Sequence, residues 1–82
     1  MARYYFHLLD GPGRLLDPEG KWVEDPAQIP AIALKEARFL IAQDVLRGEV
    51  DMDQRLEVED ESHAVVHVVA FKDAVRLIGG RG

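Results

Sequence analysis

Apolar positions recur with two different periods along this chain, and the change of period divides it into one helix flanked by strands. From Asp25 to Arg47, DPAQIPAIALKEARFLIAQDVLR, the spacing of three and four predicts a helix of several turns. At about 100° per residue, Ala33, Leu34, Ala37, Leu40, Ile41 and Val45 share one broad stripe, wide enough to lie on a sheet. A second stripe, Ile32, Phe39 and Leu46, runs along roughly the opposite side. One helix on one sheet cannot bury both stripes, so the second needs a cover from the C-terminal segment around Leu77 and Ile78, from Trp22, or from another chain. Asp25 suits the cap, Pro26 the first helical position and Gln28 a box-like entry, while Gly48 provides the stop. Pro30 removes a backbone donor in the second turn and is expected to bend or restart the helix.

On either side the period shortens. Arg3 to Leu9, RYYFHLL, reads as a strand ended by the Asp10-Gly11-Pro12-Gly13 turn, with Leu15 and Leu16 available for a short extended piece. Asp17-Pro18-Glu19-Gly20 is a second turn, and Lys21 to Val23 a second strand. After the helix, Gln54 to Asp60 alternates as a half-buried strand, Glu61 to His63 turn it, and Ala64 to Phe71, AVVHVVAF, is expected to return as the most buried strand. Lys72 to Ile78 can add a short helix or turn, and 79–82 a loose tail behind a single domain over 1–78. The order predicts an α+β fold: two β-hairpins joined by one long helix (β-β-α-β-β, with an optional C-terminal helix), the helix packed on one face of a mostly antiparallel sheet.

Strand alternation then sorts the side chains. Even positions supply Tyr4, Phe6, Leu8, Leu56, Val58, Val66, Val68 and Ala70, which are assigned to the helix side. Odd positions supply Arg3, Tyr5, His7, Leu9, Arg55, Glu57, Glu59, Val65, His67 and Val69, a mixed face too apolar for plain solvent surface and too polar for a second core.

Composition narrows the class. A chain of 82 residues, 48% hydrophobic and 30% charged, is one small domain of modest stability, for which association is a help. It has no cysteine, which removes disulfides and thiolate chemistry. No apolar run reaches membrane-spanning length and the N-terminus lacks a leader pattern, so a cytoplasmic location without membrane contact is the expectation. Ten basic against fifteen acidic residues give a net charge of −5, with acids crowded between Glu49 and Glu61, which disfavours a nucleic-acid partner.

Candidate chemistry is sparse. His7, His67, Glu57 and Glu59 could converge on the mixed face as ligands for zinc or as an acid–base group, although they lack the close spacing of a His-Glu-x-x-His motif. The Asp10, Asp17 and Glu19 stretch lacks the acid spacing of a calcium loop, Gly11-Pro12-Gly13 lacks the residues of a phosphate cradle, and no cofactor is expected. The other reading is association. Ile32, Phe39 and Leu46 on the helix, with Tyr5, Val65 and Val69 on the mixed sheet face, form the candidate interface of a homodimer or of a complex with a protein partner.

Arg3-Tyr4-Tyr5-Phe6-His7-Leu8, the Asp10-Gly11 turn, Asp17, Glu19-Gly20, Asp25 ahead of an alanine-rich helix with Glu36-Ala37-Arg38, then Glu57-Val58 and Asp60-Glu61, give the chain its profile. In these it resembles a group of short bacterial proteins classed only as a domain of unknown function. The resemblance runs from Arg3 to about Ala74, and implies no activity, cofactor or partner. It departs from that pattern at Pro30, where a helix-forming residue is favoured, and at Ser62-His63, where a glycine turn is usual.

Overall fold

The computed structural model describes residues 1–80; the last two positions of the expected 79–82 tail lie outside the described residues. The first strand, β1 (Ala2–Asp10), is the longest, and two short strands share it: β2 (Gly13–Leu15) runs antiparallel to its C-terminal end and β3 (Lys21–Val23) to its N-terminal end. The expected short extended piece is thus a true strand, ending at Leu15. A 3₁₀ turn at Pro26–Gln28 leads into α1 (Ile29–Leu46), followed by β4 (Arg55–Glu59), β5 (Val65–Ala70) and a single-turn helix α2 (Phe71–Ala74). All pairings are antiparallel, and the five-stranded sheet runs β2-β1-β4-β5 with β3 also on β1. The fold is α+β, with the long helix packed on one antiparallel sheet.

Local chemistry accounts for the helix start. The Asp25 carboxylate accepts from the Ala27 amide at 3.0 Å and caps the 3₁₀ turn, whereas the Gln28 side chain makes no capping bond. Of the two expected outcomes, a bend or a restart, the structure shows the restart: the 3₁₀ turn ends at Gln28 and α1 follows it. Because α1 proper begins at Ile29, Pro30 sits in its opening turn, where a missing N–H costs nothing. Gly48 ends the helix at φ 86°, its amide donating to the Val45 carbonyl at 2.9 Å.

Ile29, Ala33, Ala37 and Ile41, each four residues on from the last, form the buried stripe of α1, with Leu34 and Leu40 half-buried beside it. Ala33 and Ala37 are fully covered, and two methyl-sized side chains let the helix axis come close to Leu56, Val58 and Phe71, the largest fully buried side chains. Val45, assigned to this stripe by periodicity, is 60% exposed.

β5 differs from expectation in two ways. It is an edge strand, with Val65, Val66 and Val68 exposed, and the buried centre belongs to β1 and β4. Its phase is also reversed. Leu56 pairs with Val69 and Val58 with His67, then a register shift pairs Glu59 with Val65 and leaves Val66 without a partner on β4. Directly opposed residues share a face. His67 and Val69 therefore lie on the helix side, and Val68 and Ala70 on the open side.

The β4–β5 turn is built on one carboxylate. Asp60 Oδ1 accepts from the Ser62 amide at 2.8 Å, the Ser62 hydroxyl at 2.6 Å and the Ala64 amide at 3.1 Å. His63 completes the turn in the left-handed region at φ 69°, where an L side chain is strained. Replacing it should relieve that strain: His63→Gly is expected to stabilise the domain by roughly 0.5–1 kcal/mol in urea unfolding.

The Ser62 hydroxyl first, then the Ala64 amide, hold the Asp60 carboxyl below the usual carboxylate range. A depressed folded-state value stabilises above the ordinary aspartate range, about pH 4, and that contribution disappears as pH falls through the depressed value. The Ser62 and Ala64 amide resonances should move together on that acid limb, and Asp60→Asn should abolish the movement.

Candidate functional site

Between β2 and β3 the chain leaves β1, and the gap lies opposite Tyr5 to His7. There a side chain does the work of the missing strand. Asp17 Oδ2 accepts the Phe6 backbone N–H at 3.2 Å, while Oδ1 accepts the amides of Glu19 at 3.3 Å and Gly20 at 3.1 Å. Gly20 holds φ 69°, and a Cβ at that position would stand 2.8 Å from the Tyr4 carbonyl, so the loop closes this tightly only with glycine there.

The same loop fixes His7. The Asp17 backbone N–H donates to His7 Nδ1 at 3.0 Å, so Nδ1 is the acceptor nitrogen and Nε2 carries the proton, which it donates to Glu59 Oε1 at 3.0 Å. His7 is buried, although it lies on the open side of the sheet, and its ring stacks with Tyr5 at 6.2 Å between centroids and 8° between planes. Glu59 also lies 3.9 Å from Arg14 and from His63.

The expected histidine and carboxylate group is only partly assembled. His7, Glu57 and Glu59 share the open side, with Glu57 directly opposite His7 but bonded to Arg55 at 3.3 Å. His67 belongs to the other side of the sheet and to a strand not adjacent to β1, half-buried in a depression bordered by Tyr4, Ile29 and Pro30. Both ring nitrogens of His7 are already engaged, so a metal ion there would have to displace the Asp17 amide or the Glu59 bond. Among the described residues no group of three or more His, Cys, Asp or Glu is placed to hold a metal ion.

A separate acidic group gathers where the β1–β2 turn meets the end of α1. Asp10, Asp44, Glu49 and Asp51 line it with Arg47 and Gln54. Asp10 is raised above the usual carboxylate range, chiefly by hydrogen bonding with the Asp51 carboxyl and then by burial.

The candidate interface residues divide. On α1, Phe39 is 56% and Leu46 87% exposed, while Ile32 is half-buried against the core. On the sheet Tyr5 is half-buried and Val65 half-exposed, but Val69 is buried beneath the helix because of the reversed phase of β5. Alternation alone predicts the open face for Val69; its pairing with Leu56 puts it on the helix side instead.

Other apolar surface was not read from the sequence. α1 lies chiefly over β4 and β5, and a groove of about 220 Å³ remains beside it, bordered by Leu8, Leu15, Leu16 and Leu40 and spanned by the Lys21–Glu36 pair at 3.4 Å. Leu77 and Ile78, proposed as a cover for the outer stripe, are themselves 82% and 78% exposed. Trp22 does not cover the stripe either: it is 59% exposed, with the Arg3 guanidinium 4.8 Å from its ring. Among the described residues no helix is long and apolar enough to cross a membrane.

A family model described as a domain of unknown function (DUF6894) matches residues 3–72. No curated protein and no solved structure matches the chain.

The Asp17 arrangement makes a direct prediction. Asp17→Ala removes the acceptor for three backbone amides and should destabilise the domain by about 2–3 kcal/mol in urea unfolding. Imidazole nitrogen spectra of the wild type should show His7 protonated on Nε2 with Nδ1 as acceptor, and in Asp17→Ala that pattern should give way to tautomer exchange.

Proposed function

We propose, from the premise that the chain belongs to the family described as a domain of unknown function, DUF6894, that it works as a non-enzymatic association module. It presents apolar surface to a second copy of itself or to a protein partner. One observation carries this reading: among the described residues of so small a chain, apolar surface stands without cover in separate places, above all the outer stripe of α1 at Phe39 and Leu46 and the valines of β5. Each is a surface whose burial is worth roughly 25 cal/mol per Å².

The His7 arrangement fits a structural role better than a catalytic one. A general base needs a free lone pair facing substrate, and the acceptor nitrogen of His7 is spent on the Asp17 amide inside a buried loop. His7 and its partners fasten the β2–β3 loop to the sheet, and the association surfaces lie elsewhere.

Light scattering over a wide concentration range should give a mass above the 9.2 kDa of one chain. A strict monomer at the highest soluble concentration, unchanged by Phe39→Asp, together with no protein partner recovered from the native cell, would remove the reading.

A further inference from the structure

We propose that β5 is the site of self-association, pairing antiparallel with β5 of a second copy across a two-fold axis at Val68, so that the sheets of two subunits become one. This deepens the association reading and rests on it.

The two edges of the sheet are treated differently. One edge is blunted: β2 and β3 are three residues each, carry Arg14 and Lys21, and are interrupted by the loop that includes Asp17, Pro18 and Gly20. These are the devices by which proteins prevent edge-to-edge pairing. The other edge is bare. Val65–Ala70 contains no acidic residue, lysine, arginine or proline, and its Val65, Val66 and Val68 are 45–50% exposed.

Backbone direction sets the geometry. The Phe71 amide donates inward to the Gln54 carbonyl at 3.0 Å, and in an antiparallel ladder the direction alternates, so Val69 and His67 also point toward β4. Val68 and Ala70 consequently direct their N–H and C=O groups outward. A two-fold axis at Val68 lets the two Val68 residues exchange a pair of bonds and places Ala70 of one copy opposite Val66 of the other. It also sets His67 opposite Val69 on the helix side. The Val68 pair and the two His67–Val69 pairs then join residues from the same side of the sheet, while Ala70 meets Val66 at the register shift.

Charge favours a second copy over an unrelated strand. Asp60 and Glu61 stand just before β5 and Lys72 just after it, and antiparallel pairing brings Lys72 of each copy level with the strand entry of the other, beside its acidic turn. A chain of net charge −5 meets itself here along a strand with no acid of its own.

The test is Val68→Pro. Proline removes only the outward N–H, which makes no bond within the subunit, and an edge strand tolerates it on that side. The wild type is expected to be a dimer by sedimentation equilibrium, with concentration-dependent protection of the Val68 and Ala70 amides from exchange. Val68→Pro should weaken dimerisation about thirtyfold with unchanged far-ultraviolet circular dichroism, from two symmetric hydrogen bonds lost. Val68→Lys, which keeps the backbone and sets like charges face to face, should dissociate the dimer as well, and covers the case in which proline unfolds the strand. Phe39→Asp should leave the dimer intact. A dimer that survives Val68→Lys but falls apart on Phe39→Asp would overturn strand pairing while sparing the association reading. A wild-type monomer with unprotected Val68 and Ala70 amides would overturn the pairing outright.

Discussion

The Phe6 backbone N–H has to find an acceptor, and the first third of the chain is arranged around that need. β1 is longer than either strand that lines its outer edge, so a gap in the ladder opens opposite its middle. A peptide N–H left unpaired there would cost about 1–3 kcal/mol. Asp17 fills the gap by offering its carboxylate where a strand carbonyl would stand, and its own amide reaches on to His7. One residue thereby ties a loop, a strand and a histidine, and through His7 and Glu59 it reaches β4 on the far side of β1.

The core depends on a different economy. One helix stands against five strands, and Ala33 and Ala37 let it settle deeply on β4 and β5 above Leu56, Val58 and Phe71. α2 completes that contact: Arg38 Nε donates to the Ala74 carbonyl at 2.8 Å, fastening the single-turn helix to α1. The same placement leaves Leu15 and Leu16 exposed beside the helix, and Phe39 and Leu46 exposed on its outer side. The uncovered apolar surface is therefore a consequence of where the core sits.

Much of this was legible in the residues and some of it was not. The 3.6-residue period of α1, the turn at Asp10-Gly11 and the strand at Gln54–Asp60 all carry strong local signals, and the α+β order follows from them. β5 does not carry such a signal. With valine at four of its six positions, both faces of the strand are apolar and His67 is the single polar side chain, so its phase is set by the register shift at Glu59 and not by local sequence. That is why His67 and Val69 were assigned to the wrong side. Strand order is likewise a long-range property: nothing in AVVHVVAF distinguishes an edge from a centre. The role of Asp17 was hidden because an aspartate before proline reads as turn chemistry, and its partners at Phe6 and His7 are remote in sequence.

The pairing of β1 with β4 has a bearing on how the molecule comes into being. Tyr5 faces Glu59, so the two strands at the centre of the sheet are far apart in sequence with α1 between them, and closing so long a loop is entropically demanding. On a ribosome, everything up to Leu46 emerges with Phe6 and the underside of α1 still lacking the surface they bury against. The central pairing of the sheet therefore waits for β4 to emerge, long after β1 has been made.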